Sequence, residues 1–241
     1  MTRPNEINCL NRVREAFSRA FIAPKCFCNV DLDLVRSMFN SAKECPNDPP
    51  DFCCKDGFIE HFEVSPSKEG DRGSEFRKKK SKADKERKAQ FDQCDLEFLA
   101  SQYEPRTFRI APVENVYEDF SYDAFLLSLQ KNVSSHIERL KKRELTGLTS
   151  SAFMAENAGA RLYFYERGVL RGFYAIHSDR KALEILRLCI PFVRLFIFVA
   201  EDSIEILDLT KLDELISKAL DSLDVRGGRF INLSLKMYMD S

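Results

Sequence analysis

Three side chains able to bind a metal ion lie close together in one short segment, at Glu60, His61 and Glu63. The segment follows Asp56-Gly57, and an Asp-Gly pair between two short apolar runs is a strong signal for a hairpin turn. Successive side chains of a strand point to opposite faces. Glu60 therefore points one way, with the neighbouring phenylalanines, and His61 and Glu63 point the other. A buried Glu60 would need a polar partner.

Asp51 stands at the mouth of the partner strand of this predicted hairpin. With His61 and Glu63 it could converge on one divalent cation. Mg²⁺ binds carboxylate oxygens and keeps several waters, so two carboxylates suffice. Such an ion can activate a water molecule and stabilise the charge that develops on a phosphodiester. The alternative interpretation is a surface hairpin whose charged side chains are merely solvated.

The order of helix, Pro50-Asp51 strand, turn, acidic strand and helix resembles the core of the PD-(D/E)XK nuclease superfamily. In that superfamily an Asp on one strand and an Asp or Glu on the next hold the metal, and a Lys two residues further on orients the attacking water. Pro50-Asp51 matches the first element, and Glu60 or Glu63 aligns with the second. Neither alignment supplies the lysine, so Lys68 in the adjoining loop or His61 as general base would replace it.

The resemblance implies a hydrolase of DNA or RNA phosphodiesters that depends on Mg²⁺ or Mn²⁺, in a defence or mobile-element setting. Asp51 and Glu63 would hold the metal, with Glu60 as the competing ligand, and Glu6 or Glu15 of the preceding helix could join them. The nuclease-like core would cover about residues 5–110. The alternative is a non-catalytic scaffold of the same fold that binds a nucleic acid or a protein.

A dense basic run follows the hairpin, from Arg77 to Lys88, with eight basic and two acidic residues among its twelve. A net charge of +6 in a chain whose overall net charge is −1 favours contact with phosphates. The alternative is a solvated helix face. The candidate nucleic-acid-binding residues are Arg77, Lys78, Lys79, Lys80, Lys82 and Lys85.

The eight cysteines have no clear metal-binding pattern. Cys26-x-Cys28 and the adjacent Cys53-Cys54 lack the paired CxxC spacing of structural zinc sites. We therefore expect reduced thiols, Cys53 and Cys54 among them as inert core residues, in a cytoplasmic protein.

The 241 residues, 44% apolar and 31% charged, are typical of a globular protein and exclude a disordered or collagen-like one. The most apolar stretch, Leu188 to Ala200, contains Pro191 and Arg194 and is too short to span a membrane. We expect neither a membrane partner nor an export signal.

The remaining patterns predict one α/β domain over residues 1–241, with a central mixed sheet flanked by helices and a restriction-endonuclease-like fold. Residues 111–241 would extend the sheet and cover it. The glycine pairs near residues 168–172 and 226–229 are interpreted as turns. The alternating segment from Phe230 to Tyr238 could add an edge strand or pair with a second copy in a homodimer. Predicted helices lie at about 6–21, 75–102, 121–143, 179–188 and 209–223, with a further amphipathic one that Asp31 caps and that contains Leu34 to Phe39. Ser121 can cap the helix at 121–143. Predicted strands lie at about 51–54, 58–64, 107–113, 161–165, 193–199 and 204–207.

Overall fold

The computed structural model describes residues 4–18, 24–27, 30–46, 49–65, 114–116, 121–145, 150–157, 161–167, 169–200 and 203–230. Several predicted features lie outside the described residues. They are Lys68, the basic run 77–88, the helix at 75–102, the strand at 107–113 and almost all of the segment after Phe230.

Five α-helices, three short 3₁₀ helices and eleven strands make up the fold of the described residues. The helices are α1 (Pro4–Ser18), α2 (Leu32–Ser41), α3 (Tyr122–Lys142), α4 (Arg180–Leu186) and α5 (Leu212–Lys218). The strands are β1 (Lys25–Phe27), β2 (Lys43–Glu44), β3 (Phe52–Cys54), β4 (Gly57–Val64), β5 (Glu114–Val116), β6 (Ser150–Asn157), β7 (Arg161–Glu166), β8 (Val169–Phe173), β9 (Leu195–Val199), β10 (Ile204–Asp208) and β11 (Asp224–Phe230).

A seven-stranded mixed sheet in the order β1-β10-β9-β6-β4-β3-β2 forms the centre of the fold. Strands β4, β6 and β9 run parallel in its middle, and α3 lies between β4 and β6 in the chain. The hairpin strand β3 and the strand β10 are antiparallel to their neighbours in the middle. The prediction of an α/β fold with a central mixed sheet is therefore confirmed.

Each face of this sheet is covered by a different set of helices. The core on one face joins residues of α3, α4 and α5 to Phe58, Phe62 and Val64 of β4. The core on the other face joins residues of α1 and α2 to Ile59 of the same strand. The alternation predicted for β4 is thus confirmed, and the strand brings polar side chains to both faces.

Two helix starts follow directly from their capping residues. The Ser121 hydroxyl accepts a hydrogen bond from the Ala124 N–H and caps α3, as the sequence predicts. The Asp31 carboxylate accepts from the N–H groups of Asp33 and Leu34 and caps α2. None of the described helices is long and apolar enough to cross a membrane.

A second sheet, with strand order β5-β11-β7-β8, was not predicted. Two of the stretches interpreted as turns lie in strands instead, residues 169–172 in β8 and residues 226–229 in β11, because β8 pairs with β7 and β11 pairs with both β7 and β5. Gly227 and Gly228 lie opposite Leu162 and Arg161 within the ladder. The hydrogen bonds of the ladder join backbone groups, which glycine also has. The glycines therefore lower the strand propensity of these segments but do not prevent strand formation.

Strand β6 was also missed, although it lies between β4 and β9 in the middle of the sheet. Its first six residues are buried on both faces, so it has no polar alternation to read. Its sequence also lacks β-branched residues, which are the usual sign of a buried strand.

The expectation of reduced thiols is wrong for one pair. Cys45 and Cys53 form a disulfide that joins the chain beyond β2 to β3, with the two Cα atoms 5.2 Å apart. The antiparallel pairing of β2 with β3 brings the two cysteines together. Cys53 is also exposed, not part of the core, whereas Cys54 is a half-buried free thiol.

Candidate functional site

The candidate site is built around the β3–β4 hairpin and the adjacent strand β6. Cys54 pairs with Gly57, so Lys55 and Asp56 form the predicted turn. A Cβ atom on Gly57 would lie 1.6 Å from the carbonyl oxygen of Ser150 at the start of β6. Only glycine allows this close approach, which sets the position of β4 against β6.

Glu60 lies on the face of β4 that α3 covers, and its side chain is completely buried. The Nδ1 atom of His136 lies 2.5 Å from Oε1 of Glu60, and Nη1 of Arg139 lies 3.2 Å from the same oxygen. The Asp51 backbone N–H donates to Oε2 at 3.1 Å. Both carboxylate oxygens therefore have partners within the protein, which is the condition for burying a charge.

Asp51 is buried beside Glu60, and its carboxylate bonds to the backbone of the hairpin. Its Oδ2 atom accepts a hydrogen bond of 2.7 Å from the His61 backbone N–H. Together with the bond from its own N–H to Glu60, this links the start of β3 to the middle of β4. The Asp51 carboxylate thus supports the backbone of the hairpin.

Glu63 occupies a different place from Asp51. It lies three residues beyond Glu60 on β4, about 10 Å along the strand, and points to the opposite face. Its Oε1 atom accepts a hydrogen bond of 3.2 Å from Asn5 of α1. Its partner in the β4–β6 ladder is Glu156. The structure therefore does not bring Asp51 and Glu63 together around one cation.

His61 points toward α1 and meets two residues that sequence reasoning did not connect with it. One ligand atom from each of Cys9, His61 and Glu156 lies within 4.8 Å of the other two. Among the described residues, this is the one group of at least three histidine, cysteine or acidic side chains with such spacing. The Nε2 atom of His61 is 3.4 Å from Oε2 of Glu156.

Arg12 of α1 completes the surroundings of this group. Its Nη1 atom is 3.1 Å from Oε1 of Glu156, and its Nη2 atom donates to the carbonyl oxygen of Ala200 at 2.6 Å. Burial, and secondarily the negative charge of Glu156, raise the pKa of the Cys9 thiol well above its usual range, while Arg12 acts in the opposite direction. Without a bound cation, Cys9 is therefore a neutral thiol.

The positions aligned with the motif lysine are Phe62, two residues after Glu60, and Ser65, two residues after Glu63. The ring of Phe62 packs against His136 and Phe153 with centroid distances of 5.1 and 5.6 Å. Lys68 is outside the described residues. Glu6 and Glu15 lie on α1, and neither belongs to the metal-spaced group found among the described residues.

These contacts do not fit an Mg²⁺ site made by Asp51 and Glu63. Asp51 and Glu60 already bond to protein groups, and Glu63 is on the other face. The chemistry of the Cys9–His61–Glu156 group is different, since a thiol and an imidazole suit borderline metals such as Zn²⁺ better than Mg²⁺. Mg²⁺ binding by the predicted pair stays a prediction that this geometry does not favour.

The residues that sequence reasoning missed come from distant parts of the chain. His136 of α3 is mostly buried against Glu60. The sequence does contain a signal for this contact. A buried Glu60 needs a polar partner, and His136 and Arg139 lie one turn apart on a predicted helix. No comparable signal marked Cys9 or Glu156.

Comparisons with protein-family models, curated proteins and solved structures found no match for the chain. The PD-(D/E)XK relationship therefore remains a resemblance of short motifs.

Proposed function

We propose that this chain is a non-catalytic nucleic-acid-binding protein that has a nuclease-like hairpin. The observation that carries the proposal is the complete engagement of Glu60 by His136, Arg139 and the backbone N–H of Asp51. A metal-binding carboxylate must be open to the cation and its waters. Glu60 is instead fully buried, and Phe62 takes the place of the motif lysine.

The charge distribution of the sequence supports a polyanionic partner. The run from Arg77 to Lys88 has a net charge of +6 and begins thirteen residues after Val64, the last residue of β4. Lysine and arginine bind phosphates through counterion release, which requires no catalytic metal. DNA and RNA both provide such a backbone, and the proposal covers either.

Metal-dependent cleavage is the second candidate function, and one observation favours it. Glu63 and Glu156 are direct partners on parallel strands, near the carboxyl ends of β4 and β6. Ligand sites of open α/β sheets lie at that edge. Two half-buried carboxylates on neighbouring strands are a plausible donor pair for Mg²⁺ or Mn²⁺.

Binding and cleavage are tested on the same substrates. Fluorescence anisotropy with single- and double-stranded DNA and RNA, in EDTA and over a range of NaCl concentrations, measures binding. We expect affinity to fall linearly with salt on logarithmic axes. Incubation of the same substrates with Mg²⁺ or Mn²⁺ measures cleavage, and we expect none.

A quadruple variant identifies the binding segment. Changing Lys78, Lys79, Lys80 and Lys82 to Gln should lower the magnitude of the salt slope on duplex DNA by up to about 3.6. The matched control changes four exposed lysines elsewhere in the chain to Gln, and should keep most of the slope; these are Lys43, Lys55, Lys131 and Lys142.

Two results would overturn the proposal. Absence of salt-dependent binding to every substrate would remove nucleic acid as the partner. Metal-dependent cleavage that is lost in Glu63→Gln would instead establish the second candidate and locate its site.

A further inference from the structure

The group formed by Cys9, His61 and Glu156 combines three different metal-binding chemistries in one place. A thiol from α1, an imidazole from β4 and a carboxylate from β6 have ligand atoms within 4.8 Å of one another. The three residues are far apart in the chain, so their proximity arises from the packing of α1 against the sheet. Separations below 4.8 Å suit ligands that surround one ion about 2 Å from each of them.

His61 supplies an independent observation. Its side chain is nine-tenths or more buried, and its Nε2 atom has no hydrogen-bond partner. Oε2 of Glu156 lies 3.4 Å from this nitrogen, which is an ion-pair distance without hydrogen-bond geometry. Buried polar atoms are nearly always satisfied. An unsatisfied imidazole nitrogen beside a carboxylate, in a group that also contains a thiol, is expected where a cation takes its lone pair.

The surrounding charges also suit a divalent ion. A thiolate from Cys9 and the carboxylate of Glu156 would together balance two positive charges, with His61 as a neutral ligand. Arg12 contacts Oε1 of Glu156 at 3.1 Å, while Oε2 faces His61. Arg12 therefore fixes the orientation of the Glu156 carboxylate. Residues that hydrogen-bond to metal ligands commonly have this role.

From these observations we propose that Cys9, His61 and Glu156 bind one Zn²⁺ ion. The choice of zinc follows from the donor set, because thiolate and imidazole are its preferred ligands and three protein ligands leave one position for water or another donor. The site ties α1 to β4 and β6. It is independent of nucleic-acid binding, since it shares no residue with the basic run.

The test measures zinc directly on the full chain. The protein is stripped with a chelator under reducing conditions and titrated with Zn²⁺, and bound metal is measured by elemental analysis. Co²⁺ substitution then reports a thiolate ligand through its charge-transfer absorption. We expect one tightly bound equivalent in the wild type, and at least a 100-fold loss of affinity together with loss of the absorption band in Cys9→Ser.

Variants separate a site from a folding effect. His61→Gln should also lose the ion, and Arg12→Gln should weaken binding about 10- to 100-fold. Cys189 is equally buried, but in the opposite core, so Cys189→Ser is the matched control and should bind zinc like the wild type. Circular dichroism confirms that each variant is folded.

Three outcomes would overturn the proposal. They are a folded wild type that binds no zinc, a Cys9→Ser variant that keeps full affinity, and loss of zinc only in a Cys26→Ser, Cys28→Ser double variant. Each is distinguishable from failure of the proposed function, because nucleic-acid binding is measured separately in EDTA.

Discussion

The Nδ1 atom of His136 lies 2.5 Å from Oε1 of Glu60, and this contact connects the middle of α3 to a carboxylate buried inside the central sheet. Arg139, one turn further along α3, reaches the same oxygen at 3.2 Å. The helix therefore supplies the positive charge that allows Glu60 to be buried. In our proposal, Glu60 of the β3–β4 hairpin therefore has a structural role and does not bind a catalytic metal.

Removing His136 should destabilise the fold substantially. His136→Ala leaves Glu60 buried with Arg139 as its main charged partner, and we expect the free energy of unfolding to fall by about 3 kcal/mol. Denaturant unfolding measures the loss. Glu138→Ala, at an exposed position of the same helix, should stay within about 0.5 kcal/mol. If the two variants were equally stable, the buried contact would have no energetic role.

A double-mutant cycle checks that the effect passes through Glu60. In a Glu60→Gln background there is no buried charge to neutralise, so the loss caused by His136→Ala should shrink by at least about 1 kcal/mol. Equal losses in both backgrounds would show that His136 acts through packing alone.

Phe62 should be essential for stability, and a lysine at this position should not be tolerated. Phe62→Ala removes a ring packed against Phe153 and Phe196 and should cost about 3–5 kcal/mol. Phe173→Ala, at a 55% exposed position, should cost less than about 1 kcal/mol. Phe62→Lys should be destabilised as strongly and should not cleave nucleic acid with Mg²⁺; cleavage by this variant would contradict the inference that the partners of Glu60 keep it from binding a metal ion.

Gly57 should not tolerate a side chain. A Cβ atom there would overlap the backbone of Ser150, so β4 or β6 must shift, and we expect Gly57→Ala to lose at least about 2 kcal/mol. Thermal and denaturant unfolding measure the change. Lys55→Ala, at an exposed position of the adjacent turn, is the control and should behave like the wild type.

The Cys45–Cys53 disulfide should contribute measurably to stability. The bridge closes a loop with a sequence separation of 8, and such a loop corresponds to about 2–3 kcal/mol in the chain-entropy treatment. Reduction should lower the free energy of unfolding by this amount, and a Cys45→Ser, Cys53→Ser variant should match the reduced wild type. Cys54→Ser should keep the sensitivity to reductant, and loss of that sensitivity would contradict the assignment.

Cys54 should titrate late in the folded protein. Burial raises its pKa from 9.0 to about 11, with Arg14 opposing the shift. The folded state holds the proton more tightly than the unfolded chain, so this contribution to stability is present below pH 9 and lost as pH rises through 11. Alkylation of Cys54, followed by mass spectrometry, should accelerate up to about pH 11 in the native protein. A plateau near pH 9, as expected in urea, would contradict the shift.

Local patterns determined much of the secondary structure. The turn between β3 and β4, the alternation along β4 and the Ser121 cap of α3 depend on residues that are neighbours in the chain, and the sequence predicts all three. The sequence also showed that a buried Glu60 needs a partner. These features follow from the backbone and from short-range hydrogen bonds, so they require no knowledge of the fold.

The partners of the polar residues were decided by the tertiary structure. Glu60 meets His136 because α3 crosses back over the sheet, and His61 meets Cys9 and Glu156 because α1 covers the other face. The ladder between β4 and β6 sets Glu63 opposite Glu156, far from Asp51. Strand β6 has no polar alternation, since both of its faces are buried. Contacts between residues so distant in the chain depend on the packing of whole elements, for which a single sequence contains no local signal.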